Sequence, residues 1–254
     1  MTMSNEPSGG NTPRPVDGDT PQPAQAHPAG DGQRSDGEST HAPVDASADA
    51  ARLASILARL DRPVVLVGMM GVGKSSLGRK LANQLGAPFI DADDAIETSA
   101  QMTIPEIFAT YGESFFRDGE RRVIARLMGD TSGGDAPDEP RVKVIATGGG
   151  AFVNDATRAL ILRSGIAVWL DADLDTLVER TARKDNRPLL RGGNPREILG
   201  RLKTERQPFY AQAPIHVMSG NSPHARTLTR LLVAIDHWLD TSALDAPSSV
   251  QRES

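Results

Sequence analysis

The chain has 254 residues, carries 28 Lys and Arg against 33 Asp and Glu for a formal net charge of -5, and contains no cysteine. An acidic balance gives no footing for a nucleic-acid partner, and the lack of thiols excludes a disulfide scaffold, Cys-ligated zinc, an iron–sulfur cluster and a thiolate nucleophile. No run approaches the roughly 18 consecutive apolar residues of a membrane-spanning helix. The start, Met1-Thr2-Met3-Ser4-Asn5-Glu6-Pro7, has neither the basic nor the apolar region of a signal peptide. A soluble, cytoplasmic protein with no membrane partner is expected.

The composition divides the chain into unlike pieces. Residues 1–50 hold seven prolines, six glycines, eight acids and two arginines, and their only large apolar residues are Met1, Met3, Val16 and Val44. A segment so poor in apolar surface cannot offset an ordering entropy of roughly 1–2 kcal/mol per residue. Residues 1–49 therefore read as a disordered acidic tail, 50–239 as the folded domain and 240–254 as a polar C-terminal tail.

In chain order, Leu53, Ile56, Leu57 and Leu60 sit at helical spacing and stop at Asp61-Arg62-Pro63. Val64–Val67 is a buried-strand run, Lys74–Leu85 a helix closed by Gly86, and Pro88–Asp91 a second strand. Asp94–Ala100, Ile104–Tyr111 and Ser114–Met128 read as helical pieces broken at Thr103 and Gly112. A third strand at Val142–Thr147, a helix at Asp155–Arg163, a fourth strand at Ile166–Leu170 and helices at Leu174–Arg183 and Pro195–Tyr210 follow. A fifth strand at Ile215–Met218 and an amphipathic helix at His224–Leu239 close the domain. Unalternating apolar strands between helices argue an α/β fold in three layers, a parallel sheet covered on both faces. Two segments interrupt the rhythm. Gly129–Pro140 is acidic and rich in breakers, a surface insertion. Residues 183–195 are basic and glycine-bearing, which suits a lid over phosphates.

Gly68-Met69-Met70-Gly71-Val72-Gly73-Lys74-Ser75 matches G-x-x-x-x-G-K-[ST] between a strand and a helix. Such a loop turns backbone N–H groups toward phosphate at a helix N-terminus, while the lysine reaches the β- and γ-phosphates and the serine hydroxyl holds Mg²⁺. A nucleoside triphosphate site is expected here. Asp91-Ala92-Asp93 places two carboxylates just past the end of strand two, where open parallel sheets bind ligands. One can serve the metal's water shell and the other an attacking hydroxyl, whereas Asp94 reads as the cap of the following helix. Thr147-Gly148-Gly149-Gly150 ends strand three, where glycines allow close backbone approach. Arg117 follows Phe115-Phe116, and Arg206 lies in Glu205-Arg206-Gln207-Pro208-Phe209-Tyr210. Their planar forks suit a carboxylate.

Together these motifs resemble the shikimate kinase family, over roughly Pro63 to Trp238: GMMGVGKS, the DAD of FIDADDAIE, the FFRDGE around Arg117, TGGG, the RPLL at Arg187 and the ERQPFY at Arg206. The resemblance implies a P-loop kinase with a five-stranded parallel sheet in the order 2-3-1-4-5 and transfer of the ATP γ-phosphoryl to the 3-hydroxyl of shikimate. It further implies that Gly71, Val72, Gly73, Lys74, Ser75 and Ser76 cradle the phosphates, with Ser75 ligating Mg²⁺ and Asp91 in its outer shell. Asp93 would orient or deprotonate the nucleophile, Arg117 and Arg206 would clamp the carboxylate, and Gly149 would give a backbone contact. Arg187 would swing in with the lid, and Arg180 with Pro223 would flank adenine. Catalysis would thus rest on Lys74, Asp93 and Arg187. The expected partner is the small molecule alone, and the expected state a monomer. Another small-molecule P-loop kinase, of gluconate or a nucleotide, fits the Asp93, Arg117, Gly149 and Arg206 set less well. A degenerate P-loop binding module is disfavoured by intact Lys74, Ser75, Asp91 and Asp93.

Overall fold

Val64-Val65-Leu66-Val67 offers no polar side chain to either face, so its stable place is the middle of a sheet, and all four residues are fully buried. The structure, a computed structural model, describes residues 46–129, 140–182, 193–220 and 224–244. It runs α1 (Ala46–Arg59), β1 (Val64–Val67), α2 (Lys74–Gln84), β2 (Phe89–Asp91), α3 (Ala92–Ala100), α4 (Ile104–Leu127), β3 (Val144–Ala146), α5 (Asp155–Ser164), β4 (Ile166–Asp171), α6 (Leu174–Ala182), α7 (Pro195–Tyr210), β5 (Ile215–Met218) and α8 (His224–Leu244), with a short 3-10 turn at Ala151–Val153 before α5.

Local chemistry sets the ends that matter for the cleft. Asp91 caps α3 by accepting from the Asp93 N–H at 3.2 Å. Thr103 and Glu106 form a reciprocal capping box at α4. The Glu97 carboxylate accepts the Ile104 N–H at 2.8 Å and so ties α3 to α4. Within α4 the helical path is broken at Gly112 (φ 80°, ψ 176°), the break read from the sequence.

All five strands are parallel, in the order β2-β3-β1-β4-β5. The chain leaves β1 toward β2 but crosses from β3 over β1 to β4, so right-handed crossovers send α2 to one face and α5 to the other. On the first face α2 packs on β1, β2 and β3, with α8 beside it and α1 outside α8. On the second, α5 packs on β4 and α4 lies against α5. The direction reverses at β1, and in open sheets the crevice for a ligand opens at that reversal. The edge strands show their position: β5 alternates buried and exposed residues, and β2 is only half-buried.

The folded unit begins earlier and ends later than the sequence boundaries suggest. Helix α1 starts at Ala46, inside the segment read as tail, and α8 continues to Leu244. The remainder of the 1–49 tail, the 130–139 part of the insertion and the 183–192 part of the lid lie outside the described residues. No helix among the described residues is long and apolar enough to cross a membrane. Helix α1 docks by Ile56, fully buried, with Leu60 just past its end 7% exposed, and its Arg59 pairs with both Asp236 and Asp240 of α8. Ile56→Ala is therefore expected to lower unfolding free energy by about 2–4 kcal/mol in urea denaturation, against less than about 1 kcal/mol for Arg59→Ala, since partly solvated ion pairs contribute little.

Candidate active site

Strand β1 ends against β4, and the turn that follows has no room for a side chain. A Cβ on Gly68 would lie 2.2 Å from the Leu170 carbonyl oxygen, and its φ of +131° is one that L-residues rarely adopt. The loop then closes on Gly73, the N-cap of α2, so the first N–H groups of that helix face the cleft beyond β1. Lys74, 9% exposed, folds back across the loop and donates to the carbonyls of Gly68 at 2.8 Å and Met69 at 3.0 Å. The Ser75 hydroxyl donates to Asp91 Oδ2 at 2.6 Å. From behind, the Val72 carbonyl accepts from Ser219 Oγ at 2.8 Å and from Arg180 at 3.2 Å, and Arg180 also reaches the Gly220 carbonyl at 2.8 Å.

Asp93 stands in the first turn of α3, above Asp91. Burial, then the neighbouring Asp91 charge, pushes its carboxyl up from 3.8 to about 6, with Glu120 and Asp94 adding and Lys74 opposing. Gly148 separates Asp93 from Glu120: a Cβ there would lie 2.7 Å from Glu120 Oε1 and 2.8 Å from Asp93 Oδ1. Glu120 is 2% exposed, and burial raises its carboxyl above the ordinary value while pairing with Arg117 opposes the rise. One oxygen accepts from Arg117 Nη1 at 2.8 Å, and the other has no hydrogen-bond partner among the described residues. Arg117 is braced further by Glu113, at 3.1 Å from Nη2. At the glycine run after β3, Arg206 Nη1 donates to the Gly149 carbonyl at 3.1 Å, and the Tyr210 hydroxyl donates to the same oxygen.

These groups surround one cleft of about 750 Å³. One end is a backbone cradle with a lysine, suited to phosphates. The other holds two guanidinium groups and a carboxylate of raised pKa, suited to a small acid that also bears a hydroxyl. The arrangement can bring a phosphate donor and a hydroxyl acceptor together.

The family model described as "Shikimate kinase" matches residues 70–236. The shikimate kinase of Novosphingobium aromaticivorans is 67% identical over 181 residues, covering 71% of this chain and 91% of that protein. The shikimate kinase of Caulobacter vibrioides is 53% identical over 174 residues, covering 68% and 82%.

The chain belongs to the shikimate kinase family.

Among solved structures, the Acinetobacter baumannii shikimate kinase in complex with shikimate is similar with a TM-score of 0.63 and 34% identity, covering 74% of this chain and 98% of that one. The Aquifex aeolicus shikimate kinase gives a TM-score of 0.58 at 29% identity, covering 72% and 98%. As a shikimate kinase family member, the chain is a phosphotransferase with ATP as co-substrate.

Of the residues singled out in the sequence, Gly71, Gly73, Lys74, Ser75, Ser76, Asp91, Asp93, Arg117, Gly149, Arg180 and Arg206 all line the cleft. Val72 is not among them: its side chain is fully buried in the core, and its carbonyl accepts from Arg180 and Ser219. Arg187 and Pro223 lie outside the described residues. The expected cap on Asp94 is corrected to Asp91, because α3 begins two residues earlier than read and the Asp91 carboxylate accepts the Asp93 N–H; Asp94 lines the cleft instead. The sequence reading missed Glu120 and Tyr210 as site residues. Their one available signal was helical spacing, three residues after Arg117 and four after Arg206.

Asp93 gives a pH signature in stability. Its carboxyl pKa is higher in the folded than in the unfolded chain, so the folded state holds that proton more tightly. The stabilisation this provides is complete below about pH 4 and is lost as pH rises through about 6. Asp93→Asn, which cannot ionise, is expected to gain stability over wild type above pH 6, on the order of 2 kcal/mol. Thermal melts from pH 4 to 8 should show the two proteins converging at the acidic end.

Proposed function

We propose that this chain transfers the γ-phosphoryl group of ATP to the 3-hydroxyl of shikimate, with Asp93, Arg117 and Arg206 holding the acceptor and the loop from Gly71 to Ser76 holding the donor. The observation that carries the residue assignment is that Asp93, Arg117 and Arg206 share a single cleft with Lys74 and Ser75. The acceptor is a polyol with one carboxylate. Two guanidinium groups answer the carboxylate, and one half-buried acid answers a hydroxyl.

In the reaction the acceptor 3-oxygen attacks the γ-phosphorus, a new P–O bond forms, and the bond from that phosphorus to the β–γ bridging oxygen breaks, leaving ADP. The hydroxyl proton passes to Asp93, whose carboxyl near 6 is mostly ionised at neutral pH yet basic enough to take it. It is then lost to solvent. Lys74 offsets charge on the phosphates, together with the N–H groups at the start of α2. It must first exchange its present carbonyl partners, Gly68 and Met69, for phosphate oxygens. Arg117 is held in place by Glu113 and Glu120, so little side-chain entropy remains to be lost when it meets a carboxylate.

The donor set suits magnesium. Ser75 and Asp91 present a hydroxyl and a carboxylate 2.6 Å apart, hard oxygen ligands of the kind Mg²⁺ takes alongside substrate phosphates. No cluster of three His, Cys, Asp or Glu side chains able to hold a metal occurs among the described residues, so such an ion would arrive with the nucleotide. When bound, it neutralises phosphate charge. The reading includes Arg187 over the phosphates and Arg180 with Pro223 beside adenine, by their positions in the family's motifs.

The test is ADP release from ATP and Mg²⁺ with shikimate, quinate, gluconate and nucleoside monophosphates as acceptors. Stimulation by shikimate alone is expected, and stimulation by another acceptor alone would overturn the assignment. Arg117→Ala is expected to raise the KM for shikimate roughly 10- to 100-fold, the loss of a charge-assisted pair, with the KM for ATP changed less than about twofold. Steady-state kinetics with each substrate varied in turn checks this.

A further inference from the structure

The Gly149 carbonyl is an unusual acceptor: both of its donors come from one face of one helix. Arg206 and Tyr210 are four residues apart on α7 and therefore project from the same side. Arg206 Nη1 meets the oxygen at 3.1 Å and the Tyr210 hydroxyl also donates to it, which fills both lone pairs of the carbonyl. Tyr210 is itself held rigidly. It is 1% exposed, its ring centroid is 6.1 Å from that of Trp169 on β4, and its hydroxyl lies 3.9 Å from Met69 Sδ in the phosphate loop. Burial pushes its hydroxyl up to about 12, so it stays protonated and a donor at any working pH.

What the carbonyl fixes is the peptide that follows it. In a trans peptide the C=O of residue 149 and the N–H of residue 150 are coplanar and point in opposite directions. Pinning the oxygen toward α7 therefore turns the Gly150 N–H away from α7. That N–H has no acceptor among the described residues. Arg117 comes within 2.6 Å of where a Gly150 Cβ would lie, so the two donors are neighbours on the cleft wall.

We propose that Tyr210 is a positioning residue for the acceptor site, its hydroxyl fixing the Gly149 carbonyl so that the 149–150 peptide and Arg206 present their donors to the acceptor carboxylate. The inference rests on the functional reading above and adds a residue that does not itself touch substrate. It also explains a division of labour on Arg206. One of its nitrogens is spent on Gly149, and the second donor from Tyr210 spares Arg206 from holding that carbonyl alone.

The experiment compares wild type, Tyr210→Phe and Tyr210→Leu by steady-state kinetics, by calorimetric titration with shikimate in the absence of nucleotide, and by thermal melting. Tyr210→Phe keeps the ring against Trp169 and removes only the hydroxyl. It is expected to weaken shikimate binding and raise the shikimate KM together by roughly fivefold, the worth of one hydrogen bond, with the ATP KM and kcat changed less than about twofold and Tm within a few degrees of wild type. Tyr210→Leu, which also removes the ring, should lose Tm in addition. An unchanged shikimate Kd and KM in Tyr210→Phe overturns the proposal. So does a uniform loss affecting ATP and shikimate alike with a fall in Tm, which marks Tyr210 as core packing only. A wild-type protein that neither binds nor phosphorylates shikimate overturns the functional reading and this inference with it, and is recognised before any variant is compared.

Discussion

Everything at the cleft depends on how the chain leaves β1. That strand is paired on both sides, with β3 and β4, so its exit has to clear a neighbouring backbone. Gly68 passes over the Leu170 carbonyl at a distance that no Cβ could share. The loop so formed delivers Lys74 and Ser75 to the same end of the sheet at which β2 delivers Asp91 and Asp93, and β3 the three glycines. These groups share one cleft because three parallel strands end together where the sheet order reverses.

The second governing constraint is the cost of gathering charge out of water. Asp91, Asp93 and Glu120 stand near one another, and the upward shifts at Asp93 and Glu120 record the strain of doing so. Lys74, Arg117 and Arg206 balance them, yet the balance is incomplete, since one Glu120 oxygen is buried with no hydrogen-bond partner among the described residues. An unpartnered buried oxygen costs free energy that a purely structural core would avoid. Here it accompanies a preorganised guanidinium at Arg117. The charges are kept close in the cleft, and the hydrophobic sheet beneath supplies the offsetting stability.

Two long helices supply Arg117 and Arg206 to the cleft. In α4 the turn after Gly112 presents Arg117 and Glu120, and α7 presents Arg206 and Tyr210. Helix α7 is tied to its surroundings near its start, where Arg196 pairs with Asp175 of α6, and at its middle, where Lys203 pairs with Asp171 at the end of β4. Arg158 of α5 holds Gln212 just past its end, at 2.9 Å. Helix α1 lies outside the 70–236 region that the family model matches, and it seals the outer side of α8.

The parts legible in the sequence were those whose physics is local. Strand runs such as Val64–Val67, the G-x-x-x-x-G-K-S spacing and the break at Gly112 depend on neighbours within a few positions, and each appears in the structure as read. The family resemblance supplied the strand order, which no local pattern contains. What the sequence could not decide was which groups face each other across the cleft. Helical spacing says that Glu120 shares a face with Arg117 and Tyr210 with Arg206, but not that Gly148 leaves room for Glu120 or that Gly149 offers its carbonyl to Tyr210. Asp91, rather than Asp94, became the cap because β2 runs directly into α3, a junction set by the sheet. Periodicity and turn chemistry follow from the backbone of each segment alone, so the sequence determined the elements. Burial, hydrogen-bond partners and shifted ionisation arise only when distant segments share a low-dielectric space, and tertiary structure decided those.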